Sequence, residues 1–333
     1  MTVDVAVLGL GTMGRQHARV LADLAGARLV AVCDRAPEAR AHAEAHLPSV
    51  SWQTDWREVL AAGPGAVVNA LPTGDHFEVT RAFLEAGVHV LVEKPIASTV
   101  AEAVELSRLA RERGVVLMVG NVERFNPAVN VVKELVERGR MGEIVSVSAR
   151  RVGVARPAVP HVNVALDLAI HDIDIISYVL GRNGELLMAA GAAMEPNRLE
   201  DHVDLVIRYG STVATLQANW MTPVKIRRLS VTGTRAFLEV DYIEQLVHIY
   251  ETVPEVVQAK PWDFFAVARE SPASAVPVPR AEPLVQELDH FVECTRTGAL
   301  PRTDADSATR ALALAVEATA AMRGRADVSR ASG

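Results

Sequence analysis

The chain is poor in cysteine, has no surplus of positive charge and lacks long apolar runs. Cys33 and Cys294 are its only cysteines, and two isolated thiols make neither a disulfide framework nor a zinc site. A formal net charge of -7 argues against a general affinity for nucleic acid or anionic membrane, since both need clustered positive charge. Any phosphate must therefore be held locally. No basic region followed by an apolar stretch opens the sequence, so neither a signal peptide nor a membrane span is expected, and the cytoplasm is the expected location. Internal repeats, low-complexity tracts and flexible linkers are also missing. What is present is a hydrophobic half among 333 residues, enough for a large core in two domains or slightly more.

The most informative stretch comes first. Residues 3–8 form a β-rich apolar run that leads into Gly9-Leu10-Gly11-Thr12-Met13-Gly14, and residues 15–24 read as a helix. In this strand, turn and helix, Gly9 permits the tight turn, Gly11 lets a pyrophosphate reach the backbone, and Gly14 lets the helix pack closely on the strand. The N–H groups around Thr12 and Met13, with the positive end of the helix dipole, would meet the phosphates. A second strand, residues 29–33, ends in Asp34, about twenty residues past the last glycine, where a carboxylate can accept hydrogen bonds from an adenosine ribose. Asp34 should repel a 2′-phosphate and favours NAD, while Arg35 beside it leaves NADP open.

Strand and helix patterns then alternate to a sixth strand at 115–119, which makes a complete doubly wound Rossmann domain. Two strand ends should face the cofactor, because ligands lie outside the carboxyl ends of such strands. The first carries Leu71, Thr73 and His76, and the second carries Glu93 and Lys94, followed by Pro95. Beyond a helix at 126–139, longer alternating runs occupy 143–153, 185–193, 203–220 and 226–251, with Gly210-Ser211 and Gly233-Thr234 as hairpin turns. They imply a large, mainly antiparallel sheet with helices on one face. The fold class is therefore α/β, with a Rossmann domain at 1–121 and an α+β domain at 122–333. The open face of that sheet needs cover, so a homodimer or homotetramer through it is expected. Residues 253–283 read as an irregular, Pro-rich surface excursion, and two helices follow at 283–297 and 307–323.

Two groups carry chemistry. Lys94, at a strand end and restricted by the following proline, is expected beside the nicotinamide. Asp167 and His171 are four apart in a helical segment and share one face, with Asp174 a turn further on. A histidine near neutrality can take a hydroxyl proton, and a carboxylate can orient it. The same segment admits a metal site, with His161 and Asp172, or a structural histidine. We expect no metal.

Together these residues resemble the Gfo/Idh/MocA family of NAD(P)-dependent sugar and cyclitol oxidoreductases. The likeness runs from Gly9–Gly14 and Asp34 through 71–76, Glu93-Lys94-Pro95 and 167–171 to the helix at 282–298. It implies that Lys94 hydrogen-bonds the substrate hydroxyl, that Asp167 and His171 complete the catalytic site, and that the Lys94–Pro95 peptide is cis. Gly120-Asn121-Val122-Glu123-Arg124-Phe125-Asn126-Pro127 resembles more narrowly a sugar-nucleotide branch that oxidises C3 of UDP-N-acetylglucosamine, with Asn121 where that branch has histidine. The branch implies substrate contacts from Asn121 and Arg124, the latter toward a phosphate, and a sugar or nucleotide-sugar substrate. An inositol or free-sugar dehydrogenase, an NAD-dependent glycosidase and a non-catalytic nucleotide sensor are the alternatives.

Overall fold

The structure, a computed structural model, describes residues 2–154, 162–195, 198–251 and 272–331, with side chains up to residue 323. It forms two compact units, Met1–Phe125 with Ala281–Ala313, and Asn126–Arg280 with Leu314–Gly333.

The first unit is built on six parallel strands: β1 (Val3–Leu8), β2 (Ala27–Cys33), β3 (Ser51–Gln53), β4 (Ala66–Asn69), β5 (His89–Glu93) and β6 (Leu117–Gly120). Their order, β3-β2-β1-β4-β5-β6, is that of a doubly wound sheet whose strand order reverses beside β1. Helices α1 (Thr12–Asp23), α2 (Pro37–His46), α3 (Trp56–Ala62), α4 (Thr73–Glu85) and α5 (Val100–Arg113) connect them. Local chemistry sets their ends. Thr99 and Glu102 close a full capping box on α5, and Gly114 stops it at φ 65°. Helix α6 (Pro127–Glu137) opens the second unit, with the Asn126 side chain accepting from the Ala128 amide.

Beyond the division expected at residue 121, the chain returns to the first unit at Ala281–Ala313. The physical reason is core composition. Helix α8 (Pro283–Thr297), which follows α7 (Ile170–Leu180) in the chain, sends Leu284, Leu288, Phe291 and Cys294 into the same apolar cluster as Val5, Val7, Leu21, Val32, Met118 and Phe125. Burying four such side chains stabilises by several kcal/mol at about 1.5–3 kcal/mol for each large apolar group.

The second unit carries eight strands in the order β14-β13-β12-β11-β7-β10-β9-β8. They are β7 (Ile144–Val152), β8 (Glu185–Ala192), β9 (His202–Tyr209), β10 (Thr212–Asn219), β11 (Ile226–Gly233), β12 (Ala236–Asp241), β13 (Leu246–Glu251) and β14 (Ser274–Val276). All neighbours are antiparallel except β7 and β10. Alternation buries one face through Ala149, Leu205, Ile207, Leu216, Leu229 and Val231, against α6 and α7 (Ile170–Leu180). The run expected at 226–251 holds a second turn, at 242–245. There the Asp241 carboxylate accepts from the Ile243 and Glu244 amides, and Gln245 takes φ 52°. Strand β14 falls in the stretch read as irregular, while residues 253–271 of that stretch lie outside the described residues. Among the described residues, no helix is long and apolar enough to cross a membrane.

Candidate cofactor-binding and catalytic site

In the first unit, the glycine turn has the form its spacing implied. Gly9 sits at φ 84° and donates its N–H to the Cys33 carbonyl at 2.8 Å. A Cβ on Gly14 would lie 1.7 Å from the Gly9 carbonyl oxygen, whereas a Cβ on Gly11 would meet nothing within 4 Å. Gly11, Thr12 and Met13 form an exposed crest at the start of α1, open to a phosphate at the N–H end of the helix. Asp34 stands beside this crest at the end of β2. Its Oδ2 accepts from the Leu10 amide at 2.6 Å and its Oδ1 from the Ala36 amide at 2.9 Å. Each oxygen keeps a second lone pair, so the carboxylate can still accept from ribose hydroxyls. Arg35 is exposed next to it. The donors and acceptors present thus suit a dinucleotide.

At the next two strand ends, several expected cofactor contacts turn inward. His76 is buried, with Nδ1 2.8 Å from the Pro95 carbonyl and Nε2 2.8 Å from the Leu71 carbonyl. Burial pushes its imidazolium form down, and these carbonyls push back. Its geometry is that of a tie between two loops. Thr73 is half-buried as the first residue of α4, and its carbonyl accepts from Ser98 Oγ at 3.4 Å. The Lys94–Pro95 peptide is cis, and Lys94 is half-buried.

The Glu93 side chain also points inward. Its Oε1 meets His17 Nε2 at 2.7 Å and its Oε2 accepts from the Lys94 amide at 3.1 Å. Burial opposes this charge most strongly, yet the His17 hydrogen bond, with the Lys94 charge and the Lys94 amide, holds the carboxyl below the usual range. Gly120, paired with Glu93 across the strands, leaves the space it fills, since a Cβ there would lie 2.9 Å from Oε2.

Two residues expected to contact substrate are likewise engaged within the fold. Asn121 is 4% exposed, and its backbone N–H donates to the Val119 carbonyl at 2.7 Å. Arg124, also 4% exposed, donates from Nη1 to the Arg302 carbonyl at 2.7 Å. This bond ties Arg124 within the first unit.

In the second unit, Asp167 lies in a π-helical turn, Ala165–Ala169, that runs into α7. The spacing predicted an unbroken α-helix. A π turn changes the phase between Asp167 and His171, and such turns gather at functional sites. The indole Nε1 of Trp220 donates to Asp167 Oδ2 at 3.1 Å, which fixes the carboxylate from the end of β10. His171, in the first turn of α7, is half-buried.

Asp172 is removed from any metal reading. Arg151 binds it twice, Nε to Oδ2 at 2.8 Å and Nη2 to Oδ1 at 3.2 Å, with both residues buried. Losing one partner of such a pair costs about 3–5 kcal/mol, so its place is structural. His161 lies outside the described residues. Among the described residues, no three His, Cys, Asp or Glu side chains are placed to hold a metal.

Sequence reasoning missed His17, Trp220 and Glu287. Only Glu287 left a signal, a carboxylate one residue from Leu288 and three or four from Leu284 and Phe291 on an apolar helix face.

Comparison with known proteins shows the family. Residues 3–121 match the oxidoreductase family with NAD-binding Rossmann fold, and residues 129–239 match the GFO/IDH/MocA C-terminal domain. UDP-N-acetylglucosamine 3-dehydrogenase of Acidithiobacillus ferrooxidans is 28% identical, over 95% of this chain and 96% of that protein. Its solved structure superposes with a TM-score of 0.83 at 26% identity, covering 97% of this chain and 99% of that one. A myo-inositol dehydrogenase of Streptomyces leeuwenhoekii is 31% identical over 71% of this chain and 76% of its own length. The chain therefore belongs to the Gfo/Idh/MocA oxidoreductase family, as a dehydrogenase with an NAD-binding Rossmann domain.

Proposed function

We infer that the enzyme oxidises a secondary hydroxyl of a pyranose sugar, at C3 of a UDP-amino sugar such as UDP-N-acetylglucosamine. The observation that carries this reading is the near full-length likeness, in sequence and fold, to a dehydrogenase of that specificity. His171 takes the hydroxyl proton, and Asp167, steadied by the Trp220 indole, orients the imidazole and offsets its positive charge. The Lys94 ammonium stabilises the oxyanion as it develops. Bound NAD supplies the hydride acceptor. The reverse ketoreduction uses the same side chains.

A panel of UDP-sugars, free sugars and inositols, each with NAD and with NADP, tests this directly. The expected result is NADH accumulation with a UDP-amino sugar, at a kcat/KM at least about tenfold above that with the free sugar or with inositols. Turnover only of inositol would support instead the cyclitol specificity named for the Streptomyces relative. Release of free sugar without net NADH would indicate a glycosidase, and binding without turnover a nucleotide sensor.

The outer face of the second sheet carries a concavity of about 450 Å³ lined by Arg150, Arg228, Glu239, Asp241 and His248. We assign this face to contact with a second copy, giving a homodimer or homotetramer. A monomer by light scattering at assay concentration would overturn that assignment.

A further inference from the structure

Behind Lys94, the first unit holds a buried carboxyl that the reaction above does not use. Glu287 of α8 is 0% exposed, and neither oxygen has a hydrogen-bond partner among the described residues. The other ring nitrogen of His17, Nδ1, is buried and equally without a partner among them. Both belong to the surroundings of Glu93, whose Oε1 is bound by His17 Nε2 and whose charge acts on Glu287. Helices α1 and α8, which carry His17 and Glu287, share one apolar cluster and are also joined at the surface by Arg19 and Glu282.

The chemistry of these orphans is complementary. Two buried carboxylates that act on each other are not readily both ionised in an apolar core. Glu93 has the hydrogen bonds that support a charge, from His17 and from the Lys94 amide. Glu287 has none, so the proton belongs on Glu287. Burial raises its carboxyl well above the usual range, and the Glu93 charge raises it further. A neutral carboxyl has one O–H to donate. A histidine that donates from Nε2 to Glu93 has, in its neutral form, a bare acceptor at Nδ1.

We propose that Glu287 is a neutral carboxylic acid that donates to His17 Nδ1 through one buried water, and is a positioning residue for Lys94. The chain of contacts fixes the His17 tautomer toward Glu93, which in turn holds the Lys94 backbone amide. Glu287 touches no reacting atom. Its influence on turnover rests on the role of Lys94 given above, but its protonation and the tautomer of His17 do not.

Three measurements test this. Infrared difference spectra between wild type and Glu287→Gln at neutral pH should contain a carboxylic-acid carbonyl band belonging to Glu287. Nitrogen-15 shifts of His17 in the wild-type protein, which need no folded variant, should report the neutral Nε2–H tautomer. Glu287→Gln, which keeps a donor, should retain wild-type turnover. Glu287→Leu should lower kcat about tenfold with KM values nearly unchanged, as expected for slight misplacement of a reacting group.

An ionised Glu287, a His17 protonated at Nδ1, or a Leu variant with wild-type kcat would each overturn the proposal. Failure of the Lys94 assignment is separable. It would appear as full turnover in Lys94→Ala, with the infrared band and the His17 tautomer unchanged.

Discussion

Lys94→Ala and His171→Ala are each expected to lower kcat by about a hundredfold or more, near 2.7 kcal/mol of transition-state stabilisation. NAD affinity should stay within about twofold, because the proposed mechanism leaves dinucleotide binding to the glycine crest and Asp34. The two variants should differ in character. Removal of His171 eliminates a proton acceptor, so the acid limb of the kcat/KM profile should disappear and added imidazole should restore part of the rate. In the proposed mechanism Lys94 supplies a charge to the developing oxyanion and not a proton acceptor, so imidazole should restore nothing to Lys94→Ala. Steady-state kinetics against pH, with NAD affinity from fluorescence titration, reads all of this. Near-normal turnover in either variant would remove that residue from the mechanism.

The second large effect separates two glycines three residues apart. Gly14→Ala places a methyl group 1.7 Å from the Gly9 carbonyl oxygen, a backbone atom that cannot rotate away. Either α1 moves off the sheet or the turn opens, and the expected loss is about 3 kcal/mol of stability together with NAD binding. Gly11→Ala adds its methyl where nothing lies within 4 Å, at a backbone φ of -68° that alanine adopts freely. Its fold should be as stable as wild type, yet NAD affinity should fall by at least about tenfold, because the methyl occupies the approach of the pyrophosphate. Denaturant melts and NAD titrations on both variants check the contrast. Equal destabilisation of the two, or undiminished NAD affinity in Gly11→Ala, would contradict the roles given to these residues.

These two glycines also show which features the sequence made legible. Turn glycines, strand ends and helix caps are local, and their chemistry is written in adjacent residues. The doubly wound parallel sheet and the hairpin at Gly210 follow from such signals. Side-chain direction at a strand end does not. Glu93 and His76 stand where a cofactor contact is expected, but His17 and the Lys94 amide occupy one, and the Leu71 and Pro95 carbonyls the other. Those partners lie up to 76 residues away in the chain, beyond any periodicity. Membership of a core is equally silent, because the apolar stripe of α8 would look the same whichever sheet it covered. The turn at Gln245 escaped notice because it uses Asp241 as its organiser instead of a glycine.

The late return of α8 to the first unit has a consequence for biosynthesis. On the ribosome the glycine turn and all six parallel strands emerge early, but the helix that seals their apolar side is translated only after the whole second sheet. Until then the nascent Rossmann layer exposes the surface that Leu284, Leu288 and Phe291 will cover, and it must wait in that open form or be shielded by a chaperone.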